Sequence, residues 1–214
     1  MKAVIFDMDG VIIDSISISD KLLAQTAKRY GVHLTDRQLH DLHGISGKGF
    51  WEYMKKTYNL AKSVEYYVKQ YDVEEEIRLY KDLKPIPGIT ELIDDLKKHN
   101  MLLALATSAS KYRMNKVLEL FHMQNTFDAL INADDVTHAK PDPEIFLTAA
   151  EKLDVKPEDC IVIEDAVNGF IAATNAGMKC VIFRTKTTLL KDTIKPSLVT
   201  DNFAKLDYAV LEAL

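Results

Sequence analysis

Along most of the chain, short apolar runs alternate with stretches in which apolar residues recur every three to four positions. The runs fall at residues 2–6, 101–106, 128–132, 160–164 and 179–183. They are short and continuous rather than alternating, as strands covered on both faces should be. After Pro85 and Pro87, Ile89, Leu92, Ile93 and Leu96 form one helical stripe. Ile145, Phe146, Ala149, Ala150 and Leu153 form another, and a third helix starts near Val167 and ends by Gly177. Strand, helix, strand in this order reads as βαβ units. The predicted core is α/β, a Rossmann-like doubly wound parallel sheet.

From Ser15 to about Lys84 the alternation stops. No strand is evident there, only helical patterns such as Leu22, Leu23, Thr26 and Tyr30. A βαβ crossover needs far fewer residues, so the excess predicts a small helical domain standing on the rim of the sheet. Pro85, Pro87 and Gly88 mark its exit. The expected division is residues 1–14 plus 86–214 for the α/β core and 15–85 for an inserted helical cap.

Composition narrows the class. With 47% hydrophobic and 28% charged residues in 214, the chain has the apolar supply for a packed core and is expected to be soluble. Its net charge of −5 argues against a nucleic-acid footprint. Residues 15–85 carry 12 basic and 10 acidic side chains, a slight positive excess that suits a lid over a small anion. Seven of the nine tyrosines and Trp51, the single tryptophan, lie in the same stretch, where they suit the core of a small bundle. Any aromatic left over would serve a weak homodimer at most, so a monomer or weak homodimer is expected. Cys160 and Cys180 flank apolar runs and read as buried and reduced. The first apolar run is cut by Asp7 and Asp9, and no later one nears the ~18 residues that a membrane span needs. A cytoplasmic protein without a membrane role is the expectation.

The chemistry-bearing residues all follow predicted strands, where open α/β sheets bind ligands. Asp7 and Asp9 come directly after the first run, and Gly10 permits a sharp turn there. A calcium loop is excluded, because Gly10 comes too early and Val11, Ile12 and Ile13 supply no oxygen. A lone aspartate pair can simply cap a turn. Thr107 and Ser108 close the second run, and with exposed N–H groups at a helix entrance they suit a phosphoryl oxygen. Lys140 follows the third strand. Glu164 and Asp165 end the fourth, where a divalent cation would compensate their charge. An acid pair, a hydroxyl, a cation and a second acid pair on one sheet edge match what phosphoryl transfer to a carboxylate requires.

In this arrangement the chain resembles the haloacid dehalogenase superfamily, in its helical-cap branch of phosphatases and phosphomutases. The resemblance rests on Asp7-Met8-Asp9-Gly10-Val11 with Asp14-Ser15, Thr107-Ser108, Lys140-Pro141, and Glu164-Asp165 with Asn168-Gly169 and Ala176-Gly177. It implies that Asp7 attacks phosphorus to form an aspartyl-phosphate, while Asp9 protonates the leaving oxygen and then activates water. It also implies a magnesium ion held by Asp7, the Asp9 carbonyl and Asp165, with Glu164 beside them. Thr107, Lys140 and the N–H groups of Met8, Asp9 and Ser108 would hold the phosphoryl oxygens. The acid at position 9 favours phosphate esters over halides. A small phosphorylated metabolite, such as a sugar phosphate or phosphoglycolate, is the implied substrate.

Three alternatives bear on this reading. A β-phosphoglucomutase-type transfer would use a cap histidine and a cap arginine, and those positions fall at Ser19 and Gly47 here. Lys48 beside them is either a contact for a second anionic group or a solvated loop charge. A phospho-signalling switch would lack both the 15–84 insert and an acid like Asp9. A non-catalytic phospho-ligand binder would not need intact acids at 7, 9 and 165.

Overall fold

The computed structural model describes residues 1–214 except Thr187, Leu189, Lys191 and Asp192. Its strands are β1 (Ala3–Phe6), β2 (Leu102–Ala106), β3 (Ala129–Ile131), β4 (Cys160–Glu164), β5 (Lys179–Phe183) and β6 (Leu198–Thr200). All pairs are parallel, and the order is β3-β2-β1-β4-β5-β6. Central β1 pairs Ala3 with Leu102 on one side and with Cys160 on the other. Five strands stand where the apolar runs predict them. The sixth was not expected, because three residues at a sheet edge, with Val199 exposed, make no continuous apolar run.

The sheet is covered twice, and the pleat decides which residue goes where. Val4, Phe6, Leu103, Leu105, Ile161 and Ile163 face α6 (Ile89–Lys98), α7 (Lys111–Leu120) and the C-terminal α10 (Tyr208–Glu212). Their neighbours Ala3, Ile5, Ala104, Ala106 and Val162 face α8 (Glu144–Lys152) and α9 (Val167–Asn175). Both predicted stripes are buried: Ile89, Leu92, Ile93 and Leu96 on α6, and Ile145, Phe146, Ala149 and Ala150 on α8. Cys160 and Cys180 are free and buried in the second layer. Among the described residues no helix is long and apolar enough to cross a membrane.

Between β1 and β2 stand α1 (Ile16–Lys28), α2 (Asp36–Asp41), α3 (Gly47–Tyr58), α4 (Val64–Val68) and α5 (Val73–Leu79). The breaks are written locally. Thr35, Ser46, Ser63 and Asp72 each accept an N–H of the following first turn, so each starts a new short helix. The insert has its own core of Ala27, Val32, Leu39, Phe50, Trp51, Met54 and Tyr67. In it the Trp51 and Tyr67 rings stack at 5.1 Å, and the edge of Tyr30 meets Trp51. The chain leaves and re-enters the sheet layer side by side: Ile13 bridges Pro85, and Ile86 N–H donates to Ile12 C=O at 2.8 Å.

Trp51 is 1% exposed, so truncating it leaves a void that five short helices refill poorly. Trp51→Ala should lower stability by about 3–5 kcal/mol, read as a shift in the urea midpoint by far-ultraviolet circular dichroism. A loss below about 1 kcal/mol would show that the ring does not hold the insert together.

Candidate active site

The site grows from the end of β1. After Asp7 the chain turns at once, with the Met8 carbonyl accepting from the N–H groups of Ile12 at 2.8 Å and Ile13 at 3.1 Å. The Met8 side chain is buried in the core and only its backbone faces the loop. Gly10 has φ +78°, and a Cβ there would lie 2.1 Å from Asp165 Oδ2. Any side chain would therefore push the β1 loop off the β4 loop and separate the two acid pairs.

Asp7 and Glu164 meet on Lys140. The ammonium, fully buried, donates to Asp7 Oδ1 at 2.6 Å, Glu164 Oε1 at 2.7 Å and the Ala106 carbonyl at 3.3 Å. Phe146 closes one side, its ring centroid 4.9 Å away. Burial alone would lower the Lys140 pKa, but Asp7 and Glu164 raise it, so the amine stays charged. The other Glu164 oxygen accepts the N–H groups of Asp165 and Ala166 at 2.8 and 2.9 Å. Gly169 makes this possible, since a Cβ there would stand 1.8 Å from Glu164 Oε1.

Asp7, Glu164 and Asp165 each bring a carboxylate oxygen within 4.8 Å of the others, all three residues buried. Against three acids stands one ammonium. Burial, followed by the neighbouring acids, pushes the Asp165 carboxyl well above the usual range. Burial likewise pushes Asp7 up to about 7, although Lys140 opposes it. A hard, all-oxygen donor set with two uncompensated negative charges fits a divalent cation of the magnesium type.

Asp9 turns to a different cation, Arg113 of α7. The guanidinium donates from Nη1 and Nη2 to the two Asp9 oxygens at 2.6 Å each, and Ser15 Oγ donates to Asp9 Oδ1. Burial would raise the Asp9 pKa, but Arg113 beside it holds the carboxyl below the usual carboxylate range. Arg113 continues into the insert, its Nε donating to Glu76 Oε2 of α5 at 2.9 Å and its Nη2 to the Tyr80 hydroxyl. Ser19 Oγ and Tyr80 OH both donate to Glu76 Oε1 at 2.5 Å. Sequence reading did not find Arg113, Glu76, Ser19 or Tyr80 in this role. One signal was present: Arg113 lies one turn from Val117, on the buried side of α7 with Met114.

Thr107 is 1% exposed, its Oγ1 accepting the Ala109 N–H at 3.1 Å. Ser108 spends its hydroxyl on the insert, donating to the Gly44 carbonyl at 2.7 Å. Asn168 donates to the neighbouring His43 carbonyl at 2.7 Å, so loop 42–46 is held to both core loops. Among the described residues the N–H groups of Met8, Asp9 and Ser108 have no protein acceptor. The insert and the sheet edge enclose a cavity of about 410 Å³, within the range of small-molecule sites, reached by Asp7, Asp9, Thr107, Lys140 and Asp165. Its insert side presents Ser19, Glu76, and Asp20 paired with His43 Nε2 at 3.0 Å. Lys48, in the first turn of α3, stands at the rim of the cavity, 66% exposed and 3.8 Å from Glu52.

Residues 4–183 match the haloacid dehalogenase-like hydrolase family. The chain belongs to that family. Among its relatives is hexitol phosphatase B of Escherichia coli K12, 32% identical over 84% of this chain and 82% of that protein. The β-phosphoglucomutase of Bacillus subtilis 168 is 35% identical over 83% of this chain and 81% of its own length. Among solved structures, a β-phosphoglucomutase from Clostridium difficile superposes with a TM-score of 0.86 at 27% identity, covering 100% of this chain and 96% of that one. The resemblance read from the sequence and its α/β fold are thus both shown, and this haloacid dehalogenase-like protein is an enzyme of the hydrolase family.

The raised acids of this hydrolase have a direct consequence for stability. Unfolded aspartate titrates near pH 4, so between about pH 4 and 7 the folded, metal-free chain keeps protons that the unfolded chain releases. Stability from these groups is complete below that window and is lost as pH rises through it. Asp9, shifted downward, acts only below the window. In the presence of a chelator the melting temperature should therefore fall from pH 5 to pH 8, and a rise would contradict the burial of Asp7 and Asp165.

Proposed function

We propose that this enzyme is a magnesium-dependent phosphatase of small phosphorylated sugars or polyols, working through an aspartyl-phosphate on Asp7. The observation that carries the reading is the meeting of Asp7, Lys140 and Asp165 at one sheet edge, with a second acid, Asp9, on a separate cation in the same cavity. Burial pushes Asp7 up in the metal-free chain and Arg113 holds Asp9 down, so the nucleophile's role falls to Asp7 for its place on Lys140 and among the three buried acids, where a bound cation would ionise it, and not for its pKa. Magnesium would be held by Asp7, Asp165 and the Asp9 carbonyl, where it supplies charge neutralisation for the nucleophile and the phosphoryl oxygens.

The residues then divide the work. An Asp7 oxygen forms the bond to phosphorus as the bond from phosphorus to the substrate oxygen breaks, and that oxygen takes a proton from Asp9, which carries one only after it has left the Arg113 pair that holds it ionised. In the second half a water loses its proton to Asp9 and attacks phosphorus. Its attack releases Asp7 and inorganic phosphate. Lys140 and the N–H groups of Met8, Asp9 and Ser108 stabilise the phosphoryl oxygens, with the Thr107 hydroxyl beside them. Glu164, both oxygens engaged, keeps Lys140 in line. Residues 15–85 act as the cap that closes the cavity and contacts the alcohol.

The cap side of the cavity favours a neutral, hydroxylated alcohol. Arg113 is already held by Asp9 and Glu76, and the His43 ring by Asp20, while Ser19 offers a hydroxyl. A second phosphate would meet Glu76 and Asp20 instead of a free cation. Relatives named for hexitol phosphate hydrolysis and for phosphoglucomutase both support a sugar-like alcohol. The β-phosphoglucomutase reading is weaker because that enzyme's transfer passes through a sugar bisphosphate.

A magnesium-dependent phosphate-release screen over hexitol, hexose and glycolate phosphates should show hexitol or hexose monophosphates preferred, with chelation abolishing release. Asp7→Asn should lose at least about 10³-fold in turnover, and Asp9→Asn about 10²–10⁴-fold, both by steady-state phosphate assay. Near-normal turnover by Asp7→Asn would remove the covalent mechanism. With β-glucose 1-phosphate and a trace of glucose bisphosphate, free phosphate is expected; glucose 6-phosphate without it would make the enzyme a mutase.

A further inference from the structure

Helix α1 turns one face to the cavity. Ile16, Ser19, Asp20 and Leu23 line it at i, i+3, i+4 and i+7, so two polar side chains sit in the middle of a stripe whose ends are apolar. Glu76 of α5, which Ser19 touches, is on the same wall. The two acids differ in what they have left to accept. Glu76 is 1% exposed, and its oxygens already accept from Ser19 Oγ, Tyr80 OH and Arg113 Nε. Asp20 keeps 22% of its side chain exposed, and among the described residues the one donor that reaches it is His43 Nε2, 3.1 Å from Oδ1 and 3.0 Å from Oδ2.

Each carboxylate oxygen has room for two hydrogen bonds, so Asp20, with a single shared donor, can accept further O–H groups. His43 fixes where those must lie. A ring nitrogen centred between the two oxygens holds the carboxylate in place, and the backbone that carries the ring is tied to the core, since Asn168 donates to the His43 carbonyl and Ser108 Oγ to the Gly44 carbonyl, each at 2.7 Å. We propose that Asp20, oriented by His43, is a specificity-determining residue of this site: its oxygens accept neighbouring hydroxyls of a polyhydroxy alcohol, and its charge turns away alcohols that carry a carboxylate or a second phosphate. This rests on the phosphatase reading above. Ile16 and Leu23, on either side, offer apolar surface to the C–H groups of the same alcohol. A charged, half-enclosed acceptor discriminates in two ways, because bound hydroxyls satisfy it, whereas an apolar neighbour leaves it desolvated and an anionic one is repelled.

Three esters of primary alcohols test the assignment, because the chemistry at phosphorus is alike and only the far part of the alcohol changes. They are glucitol 6-phosphate, 6-phosphogluconate, which ends in a carboxylate, and hexyl phosphate, which has no hydroxyl. The full chain with magnesium should prefer glucitol 6-phosphate to each of the others by about 10²-fold in kcat/KM. Asp20→Asn keeps the shape and gives up the charge; it should lose about 10–100-fold on glucitol 6-phosphate, with a loss at least about tenfold smaller on the other two, so that both preferences shrink. Asp20→Glu keeps the charge but moves it by a methylene, and it keeps the test open if Asp20→Asn fails to fold. It should lose about tenfold on glucitol 6-phosphate and leave 6-phosphogluconate no better a substrate than in the wild type. Equal losses on all three esters would mean that Asp20 only holds the insert together, and glucitol 6-phosphate activity within about twofold of wild type in Asp20→Asn would remove the proposal. A wild type that takes 6-phosphogluconate as well as glucitol 6-phosphate would overturn it too, while leaving the phosphatase reading standing. Release of phosphate from none of the three would instead overturn the phosphatase reading.

Discussion

The constraint on which this structure depends is charge balance at the carboxyl edge of a parallel sheet. Asp7, Glu164 and Asp165 are buried where β1 and β4 end, and one ammonium, Lys140, answers them. Leaving such acids unpaired would cost several kcal/mol each, so they exist as a group only if cations are supplied. The protein supplies one and leaves an all-oxygen opening for another. That shortfall is a chemical statement, since an assembly satisfied by protein alone would have no reason to take up a metal ion or a phosphoryl group.

Every other part of the fold serves to bring these groups to one place. β1 pairs with both β2 and β4, so the residues following three adjacent strands emerge side by side. Apolar strands covered by helices on both faces push polar groups out at their ends, which concentrates them in the loops. Gly10 and Gly169 then let loop approach loop, and α9 approach Glu164, more closely than a Cβ would allow. Over this edge stands the insert, joined to the core through Ser108, Asn168 and Arg113. It closes the cavity, and closing it raises the strength of each electrostatic interaction inside.

Much of this was legible beforehand because it is local. The strands that precede Asp7, Thr107 and Lys140 and the one that ends in Glu164 show as apolar runs; Asp7 and Thr107 follow theirs directly, whereas a short turn at Ala133–Asp135 separates Lys140 from β3. The residues that escaped notice are those whose partners are distant. Arg113 reaches Asp9 across 104 positions and Glu76 across 37, and Glu76 sits in an acidic run, Glu74-Glu75-Glu76, that reads as a solvated face. Two of those three glutamates are indeed surface groups, while a single turn of α5 buries the third. Lys48, for which the sequence leaves a ligand contact and a solvated charge both open, stands at the cavity's rim beside Glu52.

Sequence by itself determined five of the six strands, the order of the groups along the chain and the helical stretch between the first two strands, because each follows from the periodicity of apolar residues and from turn and cap residues acting over a few positions. Tertiary structure alone decided which carboxylate meets which cation. Asp7 and Asp9 differ by two positions and are the same residue type, yet one lies on Lys140 with its pKa raised and the other on Arg113 with its pKa lowered. Nothing within a few residues of either could make that difference, since it comes from desolvation and from charges brought together by the closed fold.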